Sequence, residues 1–260
     1  MTSPTESTAQ FACNQLASGC ETMERLLHGL LDSDGRVGEE VHAIRKLGKS
    51  LRGGFSLFRI KDSAAEIQAI GRLLSEPRDA VSRLKTWQKL AWEDDSMVAS
   101  AVHGLLDQQT HSAARRPPPE TVAWCVARVT AARGALSGLP AEDLETTLAT
   151  GLKKLGKQVR KRCLNLDHRD EEDFHDARKA LKAYLGAVGF LPDGAVSLEP
   201  EMAKIADLLG DENDLATLSI WLTDHGFTPK FAPTLWQTIT DNRRKLQKQV
   251  IADAASLFSA

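Results

Sequence analysis

The stretch VHAIRKLGK at residues 41–49 combines a helical apolar period with closely spaced basic side chains. The stretch FHDARKALK at residues 174–182 repeats the same order of an apolar residue, His, Arg-Lys and Lys. Residues three and four positions apart share one face of a helix. Each stretch therefore predicts an amphipathic helix with a cationic face opposite an apolar face.

A second pair of segments supports an internal duplication. LSEPRDA at residues 74–80 and LGDENDL at residues 209–215 follow the two basic stretches at nearly the same distance. Two matches in the same order indicate a duplicated unit. We expect an all-α fold made of two pseudo-symmetric antiparallel helical bundles packed side by side.

Prolines and glycines mark the expected ends of the helices. The three prolines at 117–119 cannot continue a helix, because they lack N–H donors and clash with the preceding turn. Weaker breaks are expected near Pro77, at 138–140, at 192–194 and near Pro229. The predicted organisation is a polar, partly disordered N-terminus with the start of the first helix (1–24), a first helical half (25–114), a Pro-rich linker (115–120) and a second helical half (121–260).

The basic residues are concentrated in four segments, although the chain of 260 residues has a net charge of only -2. The segments 42–61, 153–162, 174–190 and 241–250 hold 19 of the 33 lysines and arginines but only 2 of the 35 acidic residues. Such a chain can present one strongly cationic surface. The alternative is a set of solvated or salt-bridged helix faces, with acids such as Asp79 and Asp214 as partners for part of the set.

Composition also excludes several kinds of protein. No apolar run is long enough for a membrane span and the first basic residue is Arg25, so we expect a cytoplasmic protein with no membrane partner. The cysteines lack metal-ligand spacing, and no acidic cluster shares a face with His42 or His175, so we expect no metal and no cofactor. The four thiols are expected to be buried or inert: Cys13, Cys20, Cys125 and Cys163.

A linear polyanion suits the basic helices, since arginine contacts phosphate through two nitrogens and lysine acts as a point charge. His42 and His175 lie beside cations, which disfavours protonation. As phosphate ligands they are expected to donate one N–H from a neutral ring. Whether they contact a ligand or have a structural role stays open at this point.

The duplicated basic helices, the LGDENDL segment and the basic helix near residue 155 resemble the CHAD domain, the conserved histidine α-helical domain, from about Val37 to the C-terminus. The resemblance implies two helical bundles whose basic faces line a central groove or pore and bind inorganic polyphosphate. It also implies association with polyphosphate granules or polyphosphate-metabolising enzymes. Some members are fused to a triphosphate-processing domain that nothing in this sequence resembles, so we expect binding without catalysis and no catalytic residue.

The resemblance assigns polyphosphate binding to residues of four basic helices. These are His175, Arg178, Lys179 and Lys182; His42, Arg45, Lys46, Lys49 and Arg52; Lys153, Lys154, Lys157 and Arg160; and Arg243, Arg244 and Lys248. The chain departs from the family in two places. Gly48, Gly53 and Gly54 interrupt the first basic stripe, either weakening the helix or letting a ligand approach. An aromatic residue expected near Gly156 is missing.

Two other functions fit part of the sequence. A nucleic-acid-binding protein also needs a basic stripe, but the basic faces offer few aromatic residues for stacking, so nucleic acid is the less favoured partner. A histidine-phosphotransfer bundle needs one exposed helical His, and it accounts neither for a doubled motif nor for a third basic helix. Chain-length preference, oligomeric state and partner enzymes are not determined by the sequence.

Overall fold

The computed structural model describes residues 6–32, 37–90, 97–113, 116–168, 170–197 and 200–259. In that part of the chain the regular secondary structure is helical, which confirms the all-α prediction. The α-helices are α1 (Thr8–Asp32), α2 (Val37–Leu57), α3 (Lys61–Leu73), α4 (Ser75–Lys89), α5 (Met97–Ala113), α6 (Pro119–Gly134), α7 (Leu144–Leu164), α8 (Glu171–Val188), α9 (Pro200–Asp224) and α10 (Pro233–Phe258). Two short 3-10 turns, Ala135–Gly138 and Ala141–Asp143, join α6 to α7.

The helices begin and end close to the predicted breaks. Helix α6 begins at Pro119, the last of three prolines, because a proline fits the first turn of a helix, where its missing N–H has no partner to lose. Helix α4 likewise holds Pro77 in its first turn, and the break before it lies at Leu74. Of the N-terminus expected to be polar and partly disordered (1–24), residues 1–5 lie outside the described residues, and α1 already begins at Thr8. Arg115 of the expected linker also lies outside the described residues.

The chain forms two compact units, each assembled from several segments. The first unit comprises Met1–Ser75, Arg116–Arg160 and Lys179–Glu199, and the second comprises Glu76–Arg115, Lys161–Arg178 and Pro200–Ala260. Both units therefore draw on the chain before and after the Pro-rich segment. The predicted halves, 25–114 and 121–260, were inferred from a duplication in the sequence, and the division of the chain into these halves stays a prediction. The pseudo-symmetric side-by-side arrangement also stays a prediction.

The first unit is centred on a bundle of four helices. Helix α1 packs against α2 and α6, and α3 packs against α2 and α6. Fully buried side chains from three of these helices fill the interior: Leu16, Met23, Leu27, Leu51, Phe55 and Ile67. Burial of this apolar surface stabilises the bundle and leaves the other face of α2 available to solvent.

The second unit has its own core, formed by α4, α5, α9 and α10. Leu106 of α5, Leu218 of α9 and Leu235 of α10 are fully buried in one apolar cluster with Trp87 of α4.

None of the helices in the described part of the chain combines the length and the apolar character that crossing a membrane requires.

Candidate functional site

Helix α2 has the two faces that its sequence predicts. Ile44 and Leu51 are fully buried, whereas His42, Lys46 and Arg52 are exposed and Arg45 and Lys49 are half-buried. Its acidic residues, Glu39 and Glu40, are confined to the first turn, where the helix dipole favours negative charge. The remainder of α2 therefore presents cations without interleaved acids.

Helix α7 presents the second basic face of the first unit. Lys153, Lys154, Lys157 and Arg160 are exposed, and Leu155 and Val159 are buried on the opposite side. The acid of this helix, Glu145, again lies in the first turn, where its Oε1 accepts a hydrogen bond of 2.8 Å from the backbone N–H of Ala9. The lysines of α7 thus have no acid within their own stripe.

Helices α2 and α8 cross at very short range through glycines. A Cβ placed on Gly53 would collide with the carbonyl oxygen of Ala183, and one on Gly186 would lie 2.8 Å from Cα of Ser50. A Cβ on Gly54 would lie 2.6 Å from Cδ1 of Leu16. Gly53 and Gly54, two of the three glycines that interrupt the first basic stripe, are therefore required for packing. The crossing also brings Arg52 and Lys182, each adjacent in sequence to a contact residue, to the same region of the first unit.

Helix α7 joins the same region through two further glycines. A Cβ on Gly151 would collide with the backbone of Leu57 at the end of α2. Gly156 faces Tyr184 of α8, whose Cε2 would lie 3.8 Å from an added Cβ. Three basic helices consequently meet within the first unit, through glycine contacts that the sequence alone did not predict.

Although α7 lacks the aromatic residue that the family resemblance led us to expect near Gly156, the ring of Tyr184 lies next to this glycine. The ring comes from α8 instead of α7 and packs against the glycine. Tyr184 is buried, and this burial raises the pKa of its hydroxyl group. The absence of an aromatic residue in α7 is thus matched by one from a neighbouring helix.

A cation from another helix lies near the basic side of α2, and sequence reasoning missed it. Arg72 of α3 is exposed and lies close to Arg52. Desolvation and the positive charge of Arg72 together lower the pKa of Arg52. The half-buried Arg45 donates from Nη1 to the carbonyl oxygen of Gly71, the residue before Arg72. Arg72 is outside the four basic segments, so charge clustering along the chain could not identify it.

In the second unit the LGDENDL segment lies on α9 and supplies polar partners. Asp211 forms an ion pair of 3.4 Å with Lys89, and Asp214 accepts a hydrogen bond of 3.4 Å from Ser82. Glu212 is buried and binds Arg243 of α10. The segment therefore connects α9 to α4 and to α10.

Asn213, the remaining polar residue of that segment, holds His175. The His175 ring is exposed, and its Nδ1 lies 2.9 Å from Oδ1 of Asn213. Because the amide oxygen accepts, Nδ1–H donates, and a neutral ring then has only an acceptor at Nε2. The single N–H that we expected a neutral ring to offer to phosphate is thus already used by Asn213, and a phosphate at Nε2 requires the protonated ring.

The candidate cations of the second unit differ in their surroundings. Arg244 and Lys248 of α10 are exposed, and Arg178 of α8 is half-buried. The guanidinium of Arg243 is largely buried and is bound by Glu171 and Glu212. Neighbouring positions of one basic segment therefore have different roles, and Arg243 connects helices.

The cysteines are buried, as expected. Desolvation raises the pKa of Cys13 and Cys125 to about 11 and that of Cys20 and Cys163 to about 12. These groups are therefore thiols at neutral pH, a poor form for nucleophilic attack or metal binding. Within the described ranges, no group of three or more His, Cys, Asp and Glu residues is arranged to hold a metal ion.

Comparison with known proteins identifies relatives of this fold. The model of a family described as the CHAD domain matches residues 14–223, a range that starts within α1, ahead of Val37, and ends before α10. The crystal structure of the CHAD domain from the plant Ricinus communis is 17% identical with a TM-score of 0.65, over 95% of this chain and 91% of that chain. PptA from Streptomyces chartreusis is 13% identical with a TM-score of 0.66, over 97% of this chain and 98% of that chain. No protein of curated function matches this chain.

Proposed function

We propose that this chain, which belongs to the CHAD domain family, binds inorganic polyphosphate along the basic faces of α2, α7 and α8 and does not hydrolyse it. The observation that carries the proposal is the meeting of these three helices in the first unit, where α2 contacts the backbones of α7 and α8 and Tyr184 of α8 faces Gly156 of α7. Like charges brought together in this way repel one another. A chain of phosphates offsets that repulsion along the whole surface, because each unit of the chain carries a negative charge.

The chemistry of the exposed groups suits phosphate. Exposed lysines on α7 provide mobile point charges, and the half-buried Arg45 is held by the carbonyl oxygen of Gly71 before a ligand binds. A positioned guanidinium loses less conformational freedom when it contacts an anion. Affinity should come mainly from counterion release, and it should fall steeply with salt concentration. Binding of this kind would bring the protein to polyphosphate granules.

The surroundings of the basic faces favour polyphosphate over a single-stranded nucleic acid. The aromatic residues of α2, α7 and α8 are Phe55, Phe174 and Tyr184, and all three are buried. Proteins that bind single strands usually stack bases on exposed aromatic rings. A polyphosphate chain has no bases and needs only cations, which these helices supply.

A competition experiment tests the proposal. The full chain is first bound to a fluorescent long-chain polyphosphate at fixed salt and then titrated with unlabelled polyphosphate, single-stranded DNA or RNA of equal phosphate concentration. We expect displacement by polyphosphate at a concentration at least about tenfold below that of either nucleic acid, a difference of about 1.4 kcal/mol. Equal or stronger competition by DNA or RNA would contradict the proposal and indicate that the ligand is a nucleic acid.

A second measurement addresses catalysis. The protein is incubated with radiolabelled polyphosphate and Mg²⁺ or Mn²⁺, and chain length is followed over hours. We expect no shortening, since the described basic faces carry no nucleophile paired with a base. Steady release of phosphate that is lost in a His175→Ala variant would show that the protein is an enzyme.

A further inference from the structure

A cavity of about 290 Å³ lies in the second unit, bounded by the end of α4 and the middle parts of α9 and α10. This volume is just below the range of roughly 300–1,000 Å³ that holds drug-sized molecules, so the cavity suits a smaller one. None of the residues that we assign to polyphosphate binding is among the described residues that line it. The cavity is therefore separate from the basic faces described above.

Four leucines form the apolar part of the cavity, and part of their surface is open to a ligand. Leu90 is 9% exposed and Leu215 is 7% exposed. Leu208 of α9 and Leu246 of α10 are half-buried, so larger parts of their side chains face solvent. A ligand with an aliphatic group would remove this apolar surface from water, which stabilises the complex.

The rim of the cavity carries charges of both signs. Asp211 of α9 and Lys89 of α4 form an exposed ion pair of 3.4 Å, so each neutralises the other. Among the described lining residues, the remaining charges are the carboxylate of Asp214 on α9 and the ammonium group of Lys245 on α10. A ligand with charge of one sign is attracted by one of them and repelled by the other. A ligand with one positive and one negative group matches both.

Asp214 has spare capacity to accept hydrogen bonds. It is half-buried, and its hydrogen bond within the described ranges is a long one, 3.4 Å, from the hydroxyl group of Ser82. An ionised carboxylate can accept about four hydrogen bonds, and leaving it partly desolvated without donors is costly. A primary ammonium group supplies three N–H donors together with the opposite charge. A ligand amine therefore fits at Asp214.

Helix α10 supplies the groups that fit a ligand carboxylate. Lys245 is exposed, so its flexible side chain can bring a positive charge to the ligand. Asn242 lies one helical turn earlier, also lines the cavity and can donate from its amide group. A neutral sugar would leave both charges unmatched, a nucleotide would be repelled by Asp214, and a polyamine would be repelled by Lys245.

We propose that this cavity binds a free α-amino acid with an aliphatic side chain. The ammonium group lies at Asp214, the carboxylate lies at Lys245 and Asn242, and the side chain packs on the leucines. This goes beyond the proposed function, since it assigns a ligand of a different chemical class to the second unit.

Isothermal titration of the full chain with L-leucine at pH 7 tests the proposal, together with three ligands that each lack one part. Leucinamide lacks the carboxylate charge, 4-methylpentanoate lacks the ammonium group, and glycine lacks the side chain. We expect leucine to bind at least about tenfold more tightly than each of the three. Equal binding of leucine and any one of them, or no binding of leucine up to about 10 mM, would overturn the proposal.

Two variants locate the charged groups of the ligand. Asp214→Asn removes the charge but can still accept from Ser82, and Lys245→Gln removes the opposite charge; each should weaken leucine binding by about tenfold. The matched controls are Asp224→Asn and Lys230→Gln, the same changes at exposed positions outside the cavity lining, and they should keep the full affinity. Leucine affinities of the cavity variants equal to those of their controls would also overturn the proposal.

The outcome is separate from that of the polyphosphate experiment, because the two ligands contact different residues. A protein that binds long polyphosphate but not leucine refutes only the amino acid site. One that binds leucine but not long polyphosphate supports this site and refutes the proposed function.

Discussion

Arg243 of α10 binds the buried carboxylate of Glu212 on α9 through two nitrogens, with Nε at 3.0 Å and Nη2 at 2.7 Å from Oε1. Gln247 donates to the same oxygen at 3.0 Å, and Nη1 of Arg243 binds Glu171 of α8 at 2.8 Å. Burial would lower the pKa of Arg243, but the hydrogen bonds and charges of Glu171 and Glu212 outweigh it and raise the pKa. This arginine therefore connects three helices of the second unit.

The first prediction concerns the stability of this unit. Glu212→Ala should lower the free energy of unfolding by about 3–5 kcal/mol, because it leaves the largely buried guanidinium of Arg243 without its main partner. Asp211→Ala is the control, since it removes an exposed ion pair with Lys89 and should cost no more than about 1 kcal/mol. Urea unfolding followed by circular dichroism measures both. Equal losses would show that the Glu212 pair is not structurally important.

The second prediction concerns the crossing of α2 and α8. Gly53→Ala should lower the free energy of unfolding by about 1–3 kcal/mol, because the added methyl group collides with the carbonyl oxygen of Ala183. Gly29→Ala should instead raise it by about 0.5–1 kcal/mol, the usual gain for alanine in an open helical position. Affinity for long polyphosphate should fall with Gly53→Ala alone. If both variants were stabilised, the close approach of the two helices would be wrong.

The third prediction concerns the exposed lysines of α7. Lys153→Glu combined with Lys157→Glu should weaken binding of long polyphosphate and flatten the plot of log K against log salt, by about 0.7 for each lost phosphate contact if polyphosphate behaves like a single strand. The control is Lys85→Glu with Lys230→Glu, which changes the net charge equally at exposed positions that belong to none of α2, α7 and α8. Titration at three salt concentrations measures the slopes. Identical slopes for the two double variants would indicate a nonspecific effect of net charge.

The fourth prediction concerns His175. Because Nδ1–H is directed at Asn213, a neutral ring has no second N–H to offer to phosphate. His175→Gln, which can still donate to Asn213, should therefore keep the affinity for long polyphosphate within about twofold of the unchanged protein. Lys179→Gln is the control, since it removes one exposed cation of the same helix, and it should weaken binding by about fivefold or more. Titration at fixed salt measures both variants, and a loss of affinity in His175→Gln as large as that in Lys179→Gln would show that His175 contacts the ligand.

The fifth prediction concerns the thiols. With pKa values raised by burial to about 11 and about 12, Cys13, Cys20, Cys125 and Cys163 are protonated at pH 8. A thiol reagent should therefore react slowly with the native protein and rapidly in urea, where the pKa returns to about 8.5. Absorbance of the released reagent follows both reactions. Rapid labelling of the native protein at any of the four positions would contradict the burial described here.

Local rules explain why the fold could be predicted. The apolar period of α2 assigns Ile44 and Leu51 to the interior and Lys46 to solvent, and the structure places them there. Proline acts through its own ring and its missing N–H, so the start of α6 at Pro119 also follows from nearby residues. These properties depend on neighbours within one or two helical turns, and a sequence contains them in full.

The candidate binding surface could be predicted only in part. Arg243 and Arg244 are adjacent in one basic segment, and no local pattern separates the arginine that binds buried Glu212 from the one that is exposed. Arg72 is far in sequence from the basic segments, yet its charge acts on Arg52. The function of a cation depends on which carboxylates and backbones surround it.

The sequence by itself determined that the chain is helical, that its basic residues are concentrated in four segments, and that it resembles the CHAD domain. The tertiary structure decided that α2, α7 and α8 meet through glycines, that Tyr184 faces Gly156, and that Nδ1 of His175 is used by Asn213. The physical reason is the sequence separation between the residues that interact. Helix formation and amphipathicity arise between residues three or four positions apart, whereas close packing and hydrogen bonding join groups that the chain separates by tens of residues.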